Sequence, residues 1–291
     1  MTTPPFARVV IRFVPVCALV LLCLQAYAQN PPAIPATPSG PIQQVIVGNL
    51  RDTLLANAAT LYDSTAKAGL QGFDCQVNPD WNLIMTSSRK SPPTAGDHAK
   101  LALLGTVKII LHARLKTSSS LDWQVPTQPG KPIDKASTAI LDHAHRAMEN
   151  TLIGMLKLWI PLVDGSVAES LGEEDMEITQ TETGYLLRSK DKSLTEDFNR
   201  NLSLMHYVTV DAGSTVNIAP AFKPTDKGLL LTGFVAHIHP SGTPPESVQE
   251  MHVGIEYQTV SGAEIPASLT IEIPDVVQMN FKLDGCSINP K

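Results

Sequence analysis

The sequence predicts an α+β domain: a single large antiparallel β-sheet of roughly ten strands, covered by two amphipathic helices. Three observations carry this. Through residues 228–286, apolar and polar residues alternate with a period of two over successive segments, which sorts them onto opposite faces of a sheet. Short turn signals, Ser261-Gly262 and Pro274-Asp275, separate these segments, so neighbouring strands pair antiparallel. Residues 42–68 and 132–163 instead place apolar residues at steps of three and four, the spacing of a helix with one buried stripe.

Taken in order, residues 1–28 read as an export signal. Arg8 and Arg12 precede an apolar run, 13–24, too short to span a bilayer, and Ala26-Tyr27-Ala28 gives a cleavage site after Ala28. The alternative is an uncleaved anchor. Neither Cys17 nor Cys23 follows the small residue that lipid attachment requires. Residues 29–41, rich in proline, form an extended linker, and 42–291 form a single domain. In that domain the first helix carries Ile46, Leu50, Leu54 and Leu61, and Gly69 and Gly72 end it. Residues 87–97 read as a loop around Pro92-Pro93 and Gly96. A strand then sets Val107, Ile109, Leu111, Ala113 and Leu115 against Lys108, His112, Arg114 and Lys116, with a shorter partner at Leu121, Trp123 and Val125.

The second helix, 132–163, aligns Leu141, Ala144, Met148, Leu152, Met155 and Trp159, and Pro161 ends or kinks it. Alternation resumes at 176–181, 185–190, 202–210 and 216–218 and then fills 228–286. There the dry face holds Met251, Val253, Ile255 and Tyr257, then Leu269 and Ile271, then Met279 and Phe281. The helix stripe is the natural cover for that face. Met148, Leu152, Met155 and Trp159 have two readings: a filled core, or an incompletely closed apolar pocket that flexible methionines suit.

The formal net charge of −6 becomes −8 once Arg8 and Arg12 leave with the signal. No cluster of Lys and Arg offsets it, which excludes nucleic acid as a partner. Of four cysteines, Cys75 and Cys286 remain. In an oxidising compartment they form one disulfide; the alternative is two buried thiols.

Chemistry-bearing residues are sparse. His237 and His239 share a strand face and His252 lies on the neighbouring strand, a spacing metal sites use and also an ordinary polar sheet surface. Asp142, His145 and Glu149 share one side of the second helix. Ser-x-x-Lys occurs at Ser64–Lys67 and Ser87–Lys90 without the partner motifs of a penicillin-binding enzyme. No nucleophile elbow, phosphate-binding loop, zinc-protease motif or dinucleotide fingerprint is present. The expectation is a protein with no catalytic residues, no metal and no cofactor.

The order of elements over 42–288 resembles the periplasmic lipoprotein-carrier superfamily, the lipoprotein localisation factors. The phrases Gly228-Leu229-Leu230-Leu231, Glu256-Tyr257-Gln258-Thr259-Val260 and Gly262-Ala263-Glu264-Ile265-Pro266 are similar to those of outer-membrane lipoprotein-sorting relatives. The Arg-Pro strand motif of the carriers is missing. The resemblance implies a curved sheet forming an incomplete barrel, helices acting as a lid, and an apolar interior for acyl chains. It implies a periplasmic or secreted binding protein for a lipid, a lipoprotein acyl chain or another apolar small molecule, with transient contact to a membrane or envelope protein. The ligand lining would be Met148, Leu152, Met155, Trp159 and the dry-face residues named above. Two alternatives stand beside it: a metal-assisted hydrolase using His237, His239 and His252, and an envelope structural or interaction domain with a filled interior.

Overall fold

The computed structural model describes residues 44–45, 49–65, 67–87, 92–126, 133–164, 175–211, 213–244 and 247–290. The expected export signal and the linker 29–41 lie outside the described residues. The chain runs β1 (Gln44–Val45), α1 (Asn49–Leu61), β2 (Leu70–Pro79), α2 (Trp81–Thr86), α3 (Ala95–Leu104), β3 (Lys108–Arg114), β4 (Ser120–Gln124) and α4 (Lys135–Val163). Nine strands follow: β5 (Met176–Gln180), β6 (Gly184–Ser189), β7 (Leu194–Asn199), β8 (Leu204–Asp211), β9 (Ser214–Thr225), β10 (Gly228–Pro240), β11 (Gln249–Val260), β12 (Ala263–Ile273) and β13 (Val277–Pro290).

All strands join one antiparallel sheet, ordered β1-β5-β6-β7-β8-β9-β10-β11-β12-β13-β2-β3-β4. It does not close, because β4 and β1 are its two ends. Two meanders compose it. β5 to β13 pair each with its neighbour in sequence, β2 to β4 do the same, and the pair β13–β2 joins the two blocks. The expected turn at Ser261-Gly262 is present with φ of 50° and 86°, the left-handed pair that a two-residue hairpin uses.

Inward residues from strands near both ends, Leu111 and Leu121 on one side and Ile178 and Leu187 on the other, belong to a single buried cluster with α1 and α4. The sheet therefore bends around its helices. The N-terminal half of α4 is amphipathic, with Leu141, Ala144, Met148 and Leu152 buried. Its last turns bury Met155, Leu156, Leu158, Trp159, Leu162 and Val163 almost all round, which is the pattern of a helix end sunk in a core. Asp134 caps its start, accepting bonds from the Ala136 and Ser137 amides at 2.9 Å. Helix geometry persists through Pro161 to Val163.

Several elements depart from expectation. The first helix stops at Leu61, and the stretch that includes Gly72 is strand β2. Residues 95–104, the end of the expected loop and beyond, form α3. A capping box drives this: Thr94 Oγ1 accepts from the Asp97 amide, and the Asp97 carboxylate accepts from the Thr94 amide. Trp81–Thr86 is a short helix with Asp80 as its cap. β7 is an additional strand, and β9 extends well beyond 216–218.

Cys75 and Cys286 form a disulfide across the β13–β2 junction. The register there skips from Asp284↔Gln76 to Ser287↔Asp74, so Gly285 and Cys286 together face Cys75. Gly285 has φ of 57°, a glycine-headed bulge that turns the following side chain toward its partner. The bridge implies an oxidising compartment. Among the described residues no helix is long and apolar enough to cross a membrane.

Candidate functional site

All twelve residues expected to line a ligand space converge on one cluster beneath α4. The sequence left open whether that space is filled. Leu152, Trp159 and Phe281 are 0% exposed, Leu269 and Ile271 1%, Met148 and Met155 2%. A void able to admit water would leave its walls accessible, so the helix stripe packs directly on the sheet at these positions. Met251 and Tyr257 are partly buried at the rim of the same cluster.

Polar contacts gather at the C-terminal end of α4. Trp159 Nε1 donates to the Tyr257 hydroxyl at 3.3 Å, and its ring meets Phe73 edge-on at 6.2 Å. Thr65 N donates to Val163 O at 2.9 Å, Thr65 Oγ1 donates to Asp164 Oδ1 at 3.0 Å, and Lys116 Nζ pairs with Asp164 Oδ2 at 2.8 Å. Just before them, the Tyr62 hydroxyl donates to Leu202 O and accepts from Leu204 N, both at 2.7 Å, fixing the end of α1 to the start of β8. Among the described residues, hydrogen bonds and ion pairs from α4 to other elements all fall at 159–164. Its N-terminal half is held by apolar contact and by the His145 ring stacked on Trp123, 5.1 Å between centroids and 16° between planes.

Between these anchors lies a cavity of about 10 Å³ walled by Asp63, Ser64, Thr65, Tyr257 and Glu264, with Trp159, Val163 and Leu230 as its apolar side. Burial pushes the Asp63 carboxyl above its usual range. The Glu264 and Asp226 charges add to the rise, and Lys227 and Lys67 oppose it. Burial also pushes the Tyr257 hydroxyl up, with the Asp63 and Glu264 charges adding to it. Deeper in the core Glu196 is 0% exposed. Its charge, after burial itself, helps raise the hydroxyls of Tyr62 and Tyr207.

None of Asp63, Glu264 or Glu196 was singled out from sequence. Glu196 shares strand parity with the buried Phe198, a signal that an acid on an inward position could have given. Asp63 and Glu264 are brought together only by the fold.

The other sequence candidates resolve differently. His237 Nε2 lies 3.2 Å from Glu250 Oε2, and His252 Nε2 contacts Glu250 Oε1 at 2.5 Å. His239 is not part of this group, and its Nδ1 is buried with no hydrogen-bond partner. The two imidazoles, His252 foremost, hold the Glu250 carboxyl below its usual range. They converge on a carboxylate rather than on a vacant point. Among the described residues no three His, Cys, Asp or Glu side chains are placed to hold a metal. Lys67 Nζ donates to the Tyr62 carbonyl, and it is the Lys67 backbone amide that reaches Ser64 Oγ, at 3.4 Å. Ser87 Oγ bonds the Gln278 backbone, and Lys90 lies outside the described residues. Asp142 and Glu149 are exposed on α4.

On the outer face of β2–β4, His112 bridges two carboxylates, Nδ1 to Asp74 at 2.8 Å and Nε2 to Asp122 at 3.3 Å, while Arg114 reaches Asp74 at 2.7 Å. The Asp74 bond is the main cause that raises the His112 pKa above its ordinary 6.5. Burial alone would raise Asp74, but the Arg114 and His112 bonds bring it below its ordinary 3.8. A raised histidine stabilises the fold fully below pH 6.5 and loses that contribution as pH rises through its folded value. A lowered aspartate stabilises above pH 3.8 and loses its share as pH falls. The network is thus complete between these limits. It is partly exposed, so its worth is about 0.5–1 kcal/mol. Urea midpoints measured at pH 6 and pH 8.5 are expected to fall further in the wild type than in His112→Asn; equal falls would show that the network contributes nothing.

No protein-family model, no curated protein and no solved structure matches the chain.

Proposed function

We propose that the chain is an exported, non-catalytic binding protein for a lipid-like apolar ligand, cleaved after Ala28 and working in the periplasm or outside the cell. The ligand takes the place that the N-terminal half of α4 occupies on the concave sheet face. The observation that carries this reading is the distribution of bonds along α4: among the described residues, polar anchors only at 159–164, and before them apolar contact and the His145–Trp123 ring stack. Such a helix swings about its C-terminal end at the cost of apolar contacts that an acyl chain restores. Met148 and Met155 adapt to a changing neighbour, and the resemblance to lipoprotein carriers points the same way.

The test is twofold: lipid mass spectrometry on organic extracts of the purified native protein, and titration with a fluorescent acyl chain bearing an uncharged head. One ligand per chain is expected. An empty extract together with no uptake would sink the reading.

The full burial of Leu152, Trp159 and Phe281 favours a second reading, an envelope interaction domain whose interior is permanently filled. That reading predicts no uptake and capture of a partner through an outer surface.

A further inference from the structure

We infer that the cavity at the C-terminal end of α4 seats a primary ammonium group, which makes the ligand an amine-headed amphiphile. This rests on the apolar-ligand reading and adds the chemistry of the head. The lining residues carry acceptor groups: the carboxylates of Asp63 and Glu264, the latter also bonded by Thr259 Oγ1 at 2.9 Å, and the hydroxyls of Ser64, Thr65 and Tyr257. An ammonium carries three donors and no acceptor, and charge-assisted bonds to carboxylates are the strongest it can make. Of the opposite wall, Trp159, Val163 and Leu230, the first two belong to the core that the chain of the amphiphile would enter.

Size narrows the choice. At about 10 Å³ the cavity has room for one water-sized group, which admits –NH3⁺ and rejects a trimethylated nitrogen. Charge balance agrees with it. The cations near the cavity are engaged at its margin: Lys227 Nζ lies 3.6 Å from Glu264 Oε1 and is about half exposed, and Lys67 Nζ bonds the Tyr62 carbonyl. Burial first, and then the Glu264 and Asp226 charges, leave the Asp63 carboxyl raised against them. A bound ammonium offsets the charge part of that rise.

Calorimetric titration of the mature protein with dodecylamine, dodecanol, dodecyltrimethylammonium and ethylamine, each below its micellar concentration, tests the assignment. Dodecylamine is expected to bind about tenfold tighter than dodecanol or the trimethylated head. In the double variant Asp63→Asn, Glu264→Gln, with folding checked by its urea midpoint, the ratio of dodecylamine to dodecanol affinity is expected to fall to about one. Equal binding of dodecylamine and dodecanol by the wild type overturns the head-group site and leaves the apolar-ligand reading standing. Binding of none of the dodecyl compounds overturns both. Ethylamine binding as tightly as dodecylamine overturns the amphiphile and leaves a site for a small free amine.

Discussion

Removing the disulfide, by Cys75→Ala with Cys286→Ala or by reduction, is expected to produce a large loss of stability. The two residues are 211 apart in sequence, and in the chain-entropy model a loop of that length is worth about 5 kcal/mol of unfolded-state restriction. The location adds to the length. Each pairing within the two meanders joins strands adjacent in sequence, but β13–β2 must bring together segments about two hundred residues apart. The bridge sits on that junction. Urea unfolding with and without reductant should show a midpoint shift equivalent to several kcal/mol, or a fall in Tm of roughly 10 °C. Amide exchange should quicken first in β2 and β13. A midpoint indifferent to reductant would mean that the hydrogen bonds of the junction suffice alone.

Trp159→Ala is expected to cost about 3–5 kcal/mol, the range for deleting a buried aromatic. The ring is 0% exposed, meets Phe73 edge-on and bonds Tyr257. Three losses coincide: apolar burial, the aromatic contact and a donor for the Tyr257 hydroxyl. Trp159→Phe keeps most of the first two and should cost about 1–2 kcal/mol. A double-mutant cycle with Tyr257→Phe isolates the hydrogen bond at about 1 kcal/mol. The same residue is the innermost of the α4 anchors, so its replacement should also loosen the helix and raise uptake of an apolar probe relative to wild type. If stability falls as expected and uptake does not change, α4 is a fixed part of the core and the second functional reading gains.

The sheet was legible wherever one face is dry. Leu111 and Ala113 alternate with His112 and Arg114, and Met279 and Phe281 with Gln278, Asn280 and Lys282, because the fold buries one side only. β2 has the same alternation, Phe73, Cys75 and Val77 against Asp74, Gln76 and Asn78, but Gly69 and Gly72 read as the end of a helix and masked it. β7 was missed because Glu196 stands on the inward side, where the pattern calls for an apolar residue. α3 was hidden by the prolines and glycine around its cap, although Thr94 and Asp97 have the spacing of a capping box. The disulfide followed from the cysteine count. The cavity did not, because Asp63 at the end of α1 and Glu264 on β12 become neighbours through packing across the fold, which no local spacing encodes.

An open sheet keeps two edges where a closed barrel has none, and an edge is a template on which another chain can add strands. Here one end is β4, five residues long with Ser120, Asp122 and Gln124 facing water. The other is the two-residue β1, which lies along only part of β5, itself five residues long with Glu177 and Gln180 exposed. Short, charged rims discourage the stacking that leads to fibrils and swapped dimers. On the proposed reading, in which α4 moves to uncover the apolar concavity, the sides of the sheet would stay unattractive to other chains.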